Sequence, residues 1–122
     1  MLCLLSCAHI LCKRISEVKT DAVEETVDYL VLPTVPIPAP KIATPKMLLG
    51  GKEVNSWGLL ATYTCPFNDT GHPAASVPCG FDSAGLPVGL QIVGKSFHDA
   101  DVLGIAQAYE SATDWNSYKP VL

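Results

Sequence analysis

The sequence predicts an α/β chain, and three stretches carry that prediction. Residues 88–94, VGLQIVG, are an apolar run rich in β-branched residues, which suits a strand. Residues 74–79, AASVPC, make a second run of small residues, and the loop between the two predicts an antiparallel pair. From His98–Asp99 onward, Val102, Ile105, Ala106 and Tyr109 recur at helical spacing with Leu103 beside them. Asp99 and Asp101 fall in the first turn, where the helix dipole favours negative charge, and Asp114 and Trp115 mark the end.

Composition narrows the class further. The chain has 122 residues, 48% of them hydrophobic, enough for one domain with a modest core. Its formal net charge is −4, and Lys and Arg are scattered, so no basic stripe for nucleic acid is expected. The 5 cysteines are odd in number and irregular in spacing, which argues against a disulfide framework. Cys3, Cys7, His9 and Cys12 lack both a C-x-x-C gap and a second ligand pair, so no metal is expected there. No cofactor is implied, and a reducing cytoplasm is the default compartment.

Residues 1–14 are read apart from residues 15–122. The opening MLCLLSCAHILC is apolar but shorter than the ~20 residues a membrane span takes. No positive charge precedes it, and Lys13 and Arg14 follow, which makes a poor signal peptide. A helix packing on another surface is the expected reading, with a weak signal or interfacial anchor as the alternative.

Residues 13–28 follow as a helix, with Ile15, Val18 and Ala22 on one face and Glu17, Asp21, Glu24 and Glu25 on the other. YLVL, residues 29–32, predicts a short buried strand that Pro33 stops. Five prolines then fall between Pro33 and Pro45, predicting an extended, unpaired connector lying over a surface. Gly50 and Gly51 mark a turn, and Ser56 with Trp57 opens a short helix. NDTGHP, residues 68–73, and GFDSAGLP, residues 80–87, are expected as loops.

GLQIVGKS, residues 89–96, matches the phosphate-loop pattern G-x-x-x-x-G-K-[ST] letter for letter. The four variable residues are Leu90, Gln91, Ile92 and Val93, which favour an extended strand over a tight turn. Pro87 also leaves no room for a preceding strand. No nucleotide site is expected; Lys95 becomes a solvated charge and Ser96 part of a helix cap.

Read with its neighbours, the same stretch resembles the C-terminal end of amidase signature enzymes. The resemblance rests on Asn68, Gly71, Pro73, Ala74, Ser76, Val77, Pro78 and Gly80, then on Gly85, Leu86, Pro87, Gly89, Leu90, Gln91, Ile92 and Gly94. Leu103, Ala106 and Glu110 extend it, and DYLVLPTVPIPAP, residues 28–40, is similar to the family's strand and loop upstream. The resemblance implies an α/β/α fold built on a mixed sheet, of which residues 15–122 would be the C-terminal part, incomplete as a stand-alone domain. It implies carboxamide hydrolysis by a Ser–Ser–Lys triad that lies upstream of the matched part. On that reading the chain alone lacks a nucleophile and is inactive. A degenerate, non-catalytic protein acting by binding a partner is the alternative.

Two activities compete within the family: a general amidase, and the A subunit of the glutamyl-tRNA(Gln)/aspartyl-tRNA(Asn) amidotransferase. The resemblance places an aspartate of the A subunit, which helps hold glutamine, three positions before the threonine matched by Thr64. Ala61 stands there instead. A neutral side chain cannot pair with an ammonium, so the general amidase is preferred. Trp57, Thr64, Asn68, Gly71 and His72 are the candidate substrate-binding residues, by their position next to the family motif. Ser76 as a nucleophile, or Cys79 paired with His72 or His98, would need a base within reach, and spacing brings none together. Expected partners are a small-molecule amide, and a second chain at whatever sheet face or edge stays bare.

Overall fold

The computed structural model describes residues 20, 22, 23 and 25–118. Along the chain run β1 (Tyr29–Pro33), β2 (Lys46–Leu49), β3 (Lys52–Asn55), α1 (Ser56–Ala61), α2 (Cys65–Thr70), β4 (Ala74–Phe81), β5 (Pro87–Gly94) and α3 (Asp99–Ser111), then a 3-10 turn at Trp115–Ser117. Residues 1–14 and most of the helix expected over residues 13–28 lie outside the described residues. Of that helix, Thr20, Ala22 and Val23 are helical, and the Thr26 N–H bonds to Val23 O at 2.9 Å in a closing turn.

The strands form one three-stranded sheet, ordered β1-β5-β4, and a separate β2-β3 hairpin. Every pairing among the described residues is antiparallel, where the resemblance implies a larger mixed sheet. β5 is central: Leu90 pairs with Pro33 on one side and Val77 on the other, and Val93 with Leu30 and Ala74. Leu90, Gln91, Ile92 and Val93, the variable residues of the phosphate-loop pattern, are therefore strand residues with neighbours on both sides, as their apolar and branched side chains favour.

Consecutive strand residues point to opposite faces, so burial of neighbours reports cover on both sides. Ile92 is 2% exposed and Val93 is fully buried. Ile92 joins Val77 and Ala106 in the core, with Tyr29, Ala75, Leu90 and Tyr109 packed around them. The helix α3 lies against β4 and β5 and presses Val102 onto Gly94. A Cβ on Gly94 would sit 2.5 Å from Val102 Cγ2, so only glycine admits that approach.

Several elements differ from expectation for identifiable reasons. Residues 29–32 do form a strand, at the edge of the sheet, but its faces are only partly covered and Val31 is 59% exposed rather than buried. NDTGHP is not all loop: Asn68, Asp69 and Thr70 belong to α2. Pro66 suits the first turn of that helix, and Gly71, at φ 76°, ends it in the left-handed region. Gly80 and Phe81 extend β4 past an irregularity at Pro78–Gly80, and Pro87 opens β5, so the loop shrinks to residues 82–86. Asp82 closes it by accepting from the Ala84 and Leu86 N–H groups at 2.9 and 2.8 Å. Ser96 caps nothing; the N-cap of α3 is His98, without a side-chain cap bond. Of the expected apolar face of α3, Val102 and Ala106 are buried, while Leu103 and Ile105 are exposed. The sheet covers only a narrow stripe of the helix.

Pro33 is the last residue of β1 rather than the residue after it; beyond it the proline-rich segment carries no strand, as its missing N–H groups dictate, and lies on the body with Ile37 buried. Gly50 and Gly51, both at positive φ, make the two-residue turn of the β2-β3 hairpin. Asn55 caps α1 by accepting from the Gly58 N–H at 3.2 Å.

Candidate functional site

The candidate residues gather on two short helices and the turn between them. Thr64 is the N-cap of α2, Asn68 lies within that helix, Gly71 is its C-cap and His72 follows. These four therefore share one element. Trp57 sits apart on α1, 72% exposed.

Each has a local structural bond or role. Thr64 Oγ1 donates to Ala61 O at 3.4 Å. His72 is buried, and its Nδ1 lies 2.7 Å from Thr70 Oγ1. A buried imidazole is tolerated when its polar atoms are partnered. Trp57 lines a hollow of about 550 Å³ formed with residues 40–45 and Leu60. Thr64, Asn68, Gly71 and His72 line neither that hollow nor a second, of about 620 Å³, beneath the proline-rich segment.

The alternative nucleophiles make structural bonds. Ser76 Oγ and Thr34 Oγ1 are 2.6 Å apart, bridging over Gly89. A Cβ on Gly89 would lie 2.7 Å from one hydroxyl and 2.8 Å from the other. Cys79 Sγ donates to Val88 O at 3.6 Å, and His98 Nδ1 meets Asp101 Oδ2 at 2.8 Å. No hydrogen bond among the described residues joins Cys79 to a histidine, or Ser76 to a lysine or histidine. The arrangement can shape and rigidify a wall; among the described residues it does not assemble a nucleophile with its base. Among the described residues no group of three or more His, Cys, Asp and Glu could hold a metal. No helix among them is long and apolar enough to cross a membrane.

Sequence reasoning gave no role to the residue that ties this region to the sheet. Gln91 is buried at the centre of β5, and its Nε2 donates to Tyr63 O at 3.1 Å. Tyr63 lies in the turn between α1 and α2, so the bond fixes the candidate helices against the body. The signal was available: a lone amide inside an apolar strand needs a partner.

A family model described as Amidase matches residues 7–103. The chain belongs to the amidase family. It is 45% identical over 101 residues to the glutamyl-tRNA(Gln) amidotransferase A subunit of Thermodesulfovibrio yellowstonii, covering 80% of this chain and 19% of that one. The same protein of Myxococcus xanthus is 47% identical over 94 residues, covering 75% and 18%. Among solved structures, 6-aminohexanoate cyclic dimer hydrolase superposes with a TM-score of 0.76 at 32% identity, covering 88% of this chain and 24% of that one. A bacterial aryl acylamidase of the amidase signature family gives 0.75 at 28% identity, covering 99% and 26%. The chain thus spans about a fifth of the length of the curated relatives it matches. The amidase family chain shares the α/β architecture of these neighbours, as the resemblance implies.

Proposed function

We propose that this amidase family chain walls and supports the site of an amide-cleaving unit whose nucleophile it does not itself supply. The observation that carries the reading is the family match over residues 7–103. The bonding of Ser76 and Cys79 within the scaffold agrees with it. Trp57, Thr64, Asn68, Gly71 and His72 are the proposed wall, with Gln91 holding their helices in place. The reaction is hydrolysis of a carboxamide C–N bond.

Of the two branches, the curated relatives support the amidotransferase A subunit over the general amidase preferred from Ala61. The general amidase stands as the second reading, favoured by Ala61 itself, which closes α1 beside Thr64 without a charge. The two hydrolases among the structural neighbours agree with it.

A graft separates them. Residues 25–118 replace the matching segment of the Myxococcus xanthus relative, and ammonia release is followed from glutamine and from a simple aryl amide. On the amidotransferase reading the graft releases ammonia from glutamine. On the general-amidase reading it loses glutamine turnover by at least tenfold, and Ala61→Asp restores it. A graft inactive on both substrates, though folded, removes the proposal that this segment walls the site.

A further inference from the structure

Gly89 lies where side chains of two strands that are not neighbours meet. β1 and β4 flank β5, so their backbones run two interstrand spacings apart, about 9.5 Å. Short side chains close that gap only where the strand between them carries none. Thr34, the residue after β1, donates its N–H to Gly89 O at 2.9 Å, which continues the β1-β5 ladder by one step. Its Oγ1 then meets Ser76 Oγ of β4 at 2.6 Å. A Cβ on Gly89 would lie 2.7 Å from Thr34 Oγ1, 2.8 Å from Ser76 Oγ and 3.2 Å from Thr34 Cβ, so any side chain there parts the pair.

The pair lies on the sheet face to which the candidate helices are tied. Ser76 stands opposite Gln91, and residues directly opposite in a ladder share a face. Gly89 and Gln91 are two residues apart on β5 and share it too. One face of β5 therefore carries two attachments in succession: the hydroxyl pair at Gly89, and the Gln91 amide donating to Tyr63 O at 3.1 Å. Gln91 holds α2 from its N-terminal side, through the turn before Thr64. Ser76 lies on its C-terminal side, with only Pro73, Ala74 and Ala75 between it and His72. The pair thus ties Thr34, where the proline-rich segment leaves the sheet, to the strand that follows His72.

We infer that Thr34 and Ser76 act as one positioning unit for amide cleavage, setting the proline-rich segment against α2 and His72 without touching substrate. The inference rests on the proposed wall of an amide-cleaving site. A hydroxyl bond that only held the sheet together would bear on stability alone. One that sets the wall bears on turnover, at temperatures where every variant is folded.

The test uses the graft in the Myxococcus xanthus relative, with the amide that it cleaves, well below the melting temperature of each variant. Thr34→Val, which keeps the branched shape and removes the hydroxyl, and Ser76→Ala are each expected to lower kcat about fivefold, the size of one neutral hydrogen bond, with KM moving less than about twofold. The double variant is expected to equal either single, because the second change removes a bond already lost. Thr34→Ser keeps the hydroxyl and retains kcat. Gly89→Ala parts the pair from beneath and gives the same loss as the single variants. Losses that multiply in the double variant overturn the inference, as does a kcat that both single variants leave within about twofold of the parent. A rise in KM alone places the hydroxyls on substrate and overturns it as well. A folded parent graft inactive on both substrates removes the wall itself, and the positioning role falls with it.

Discussion

The sheet body and the hairpin region use their apolar residues in opposite ways. In the body, β5 and α3 bury Ile92, Val93 and Val102 to 2% exposure or less. In the hairpin and α1, Leu48 is 74% exposed and Trp57 72%, and Ile42 beside them is 99% exposed. Both regions nevertheless have regular structure. The body is specified by contacts between residues far apart in sequence, as in the Ile92–Val77–Ala106 cluster. The hairpin region is specified locally, by the Gly50–Gly51 turn, the Asn55 cap and the Ser56–Thr44 bond. Local chemistry can thus fix a shape without a core of its own, leaving its apolar surface free for a ligand or another chain.

The largest expected effect tests this division at its root. Ile92→Ala deletes a side chain at the centre of the core and should cost about 2–5 kcal/mol in urea unfolding. Leu48→Ala, on an exposed strand, should stay within about 0.5 kcal/mol. Equal costs would show that the hairpin is part of the same cooperative core. Next in size is Gly94→Ala, whose Cβ would overlap Val102 and should cost about 1–3 kcal/mol. Gly104, within α3 but facing open space, gives the opposite sign: Gly104→Ala should stabilise by about 0.5–1 kcal/mol.

The body was largely legible from sequence and the hairpin region was not. The run at residues 88–94 and the helix from Asp99 follow from periodicity, because burial imposes it. The exposure of Val31 in β1 was hidden, since YLVL reads alike whether one face or two are covered. The β2-β3 pair escaped because KMLL and KEVN carry no buried face to create alternation; only the glycines between them spoke. The helix at Cys65–Thr70 was obscured by Asn68, Asp69 and Gly71, which signal a turn as well as the last turn of a short helix. Of the candidate site, the grouping of Thr64, Asn68, Gly71 and His72 came from a resemblance. The Gln91–Tyr63 bond that positions them spans the fold and needed the structure.

Smaller effects sharpen the local half of the comparison. Asn55→Ala removes the side-chain bond to the Gly58 N–H and should cost α1 about 1 kcal/mol. Amide exchange should read this as faster exchange over α1, with Ile92 and Val93 amides unchanged, because the loss is confined to one helix. The smallest expected effect concerns Lys46 and Glu53, whose ammonium and carboxylate lie 2.6 Å apart across the hairpin, each side chain more than half exposed. Water screens such a pair and its side chains lose rotamer freedom to form it, so Glu53→Gln should change stability by less than about 0.5 kcal/mol. Raising salt should then leave hairpin amide exchange almost unaltered. A strong salt dependence would mean that this pair, rather than the glycine turn and the cap, holds the hairpin together, and the region's shape would rest on charge instead of backbone geometry.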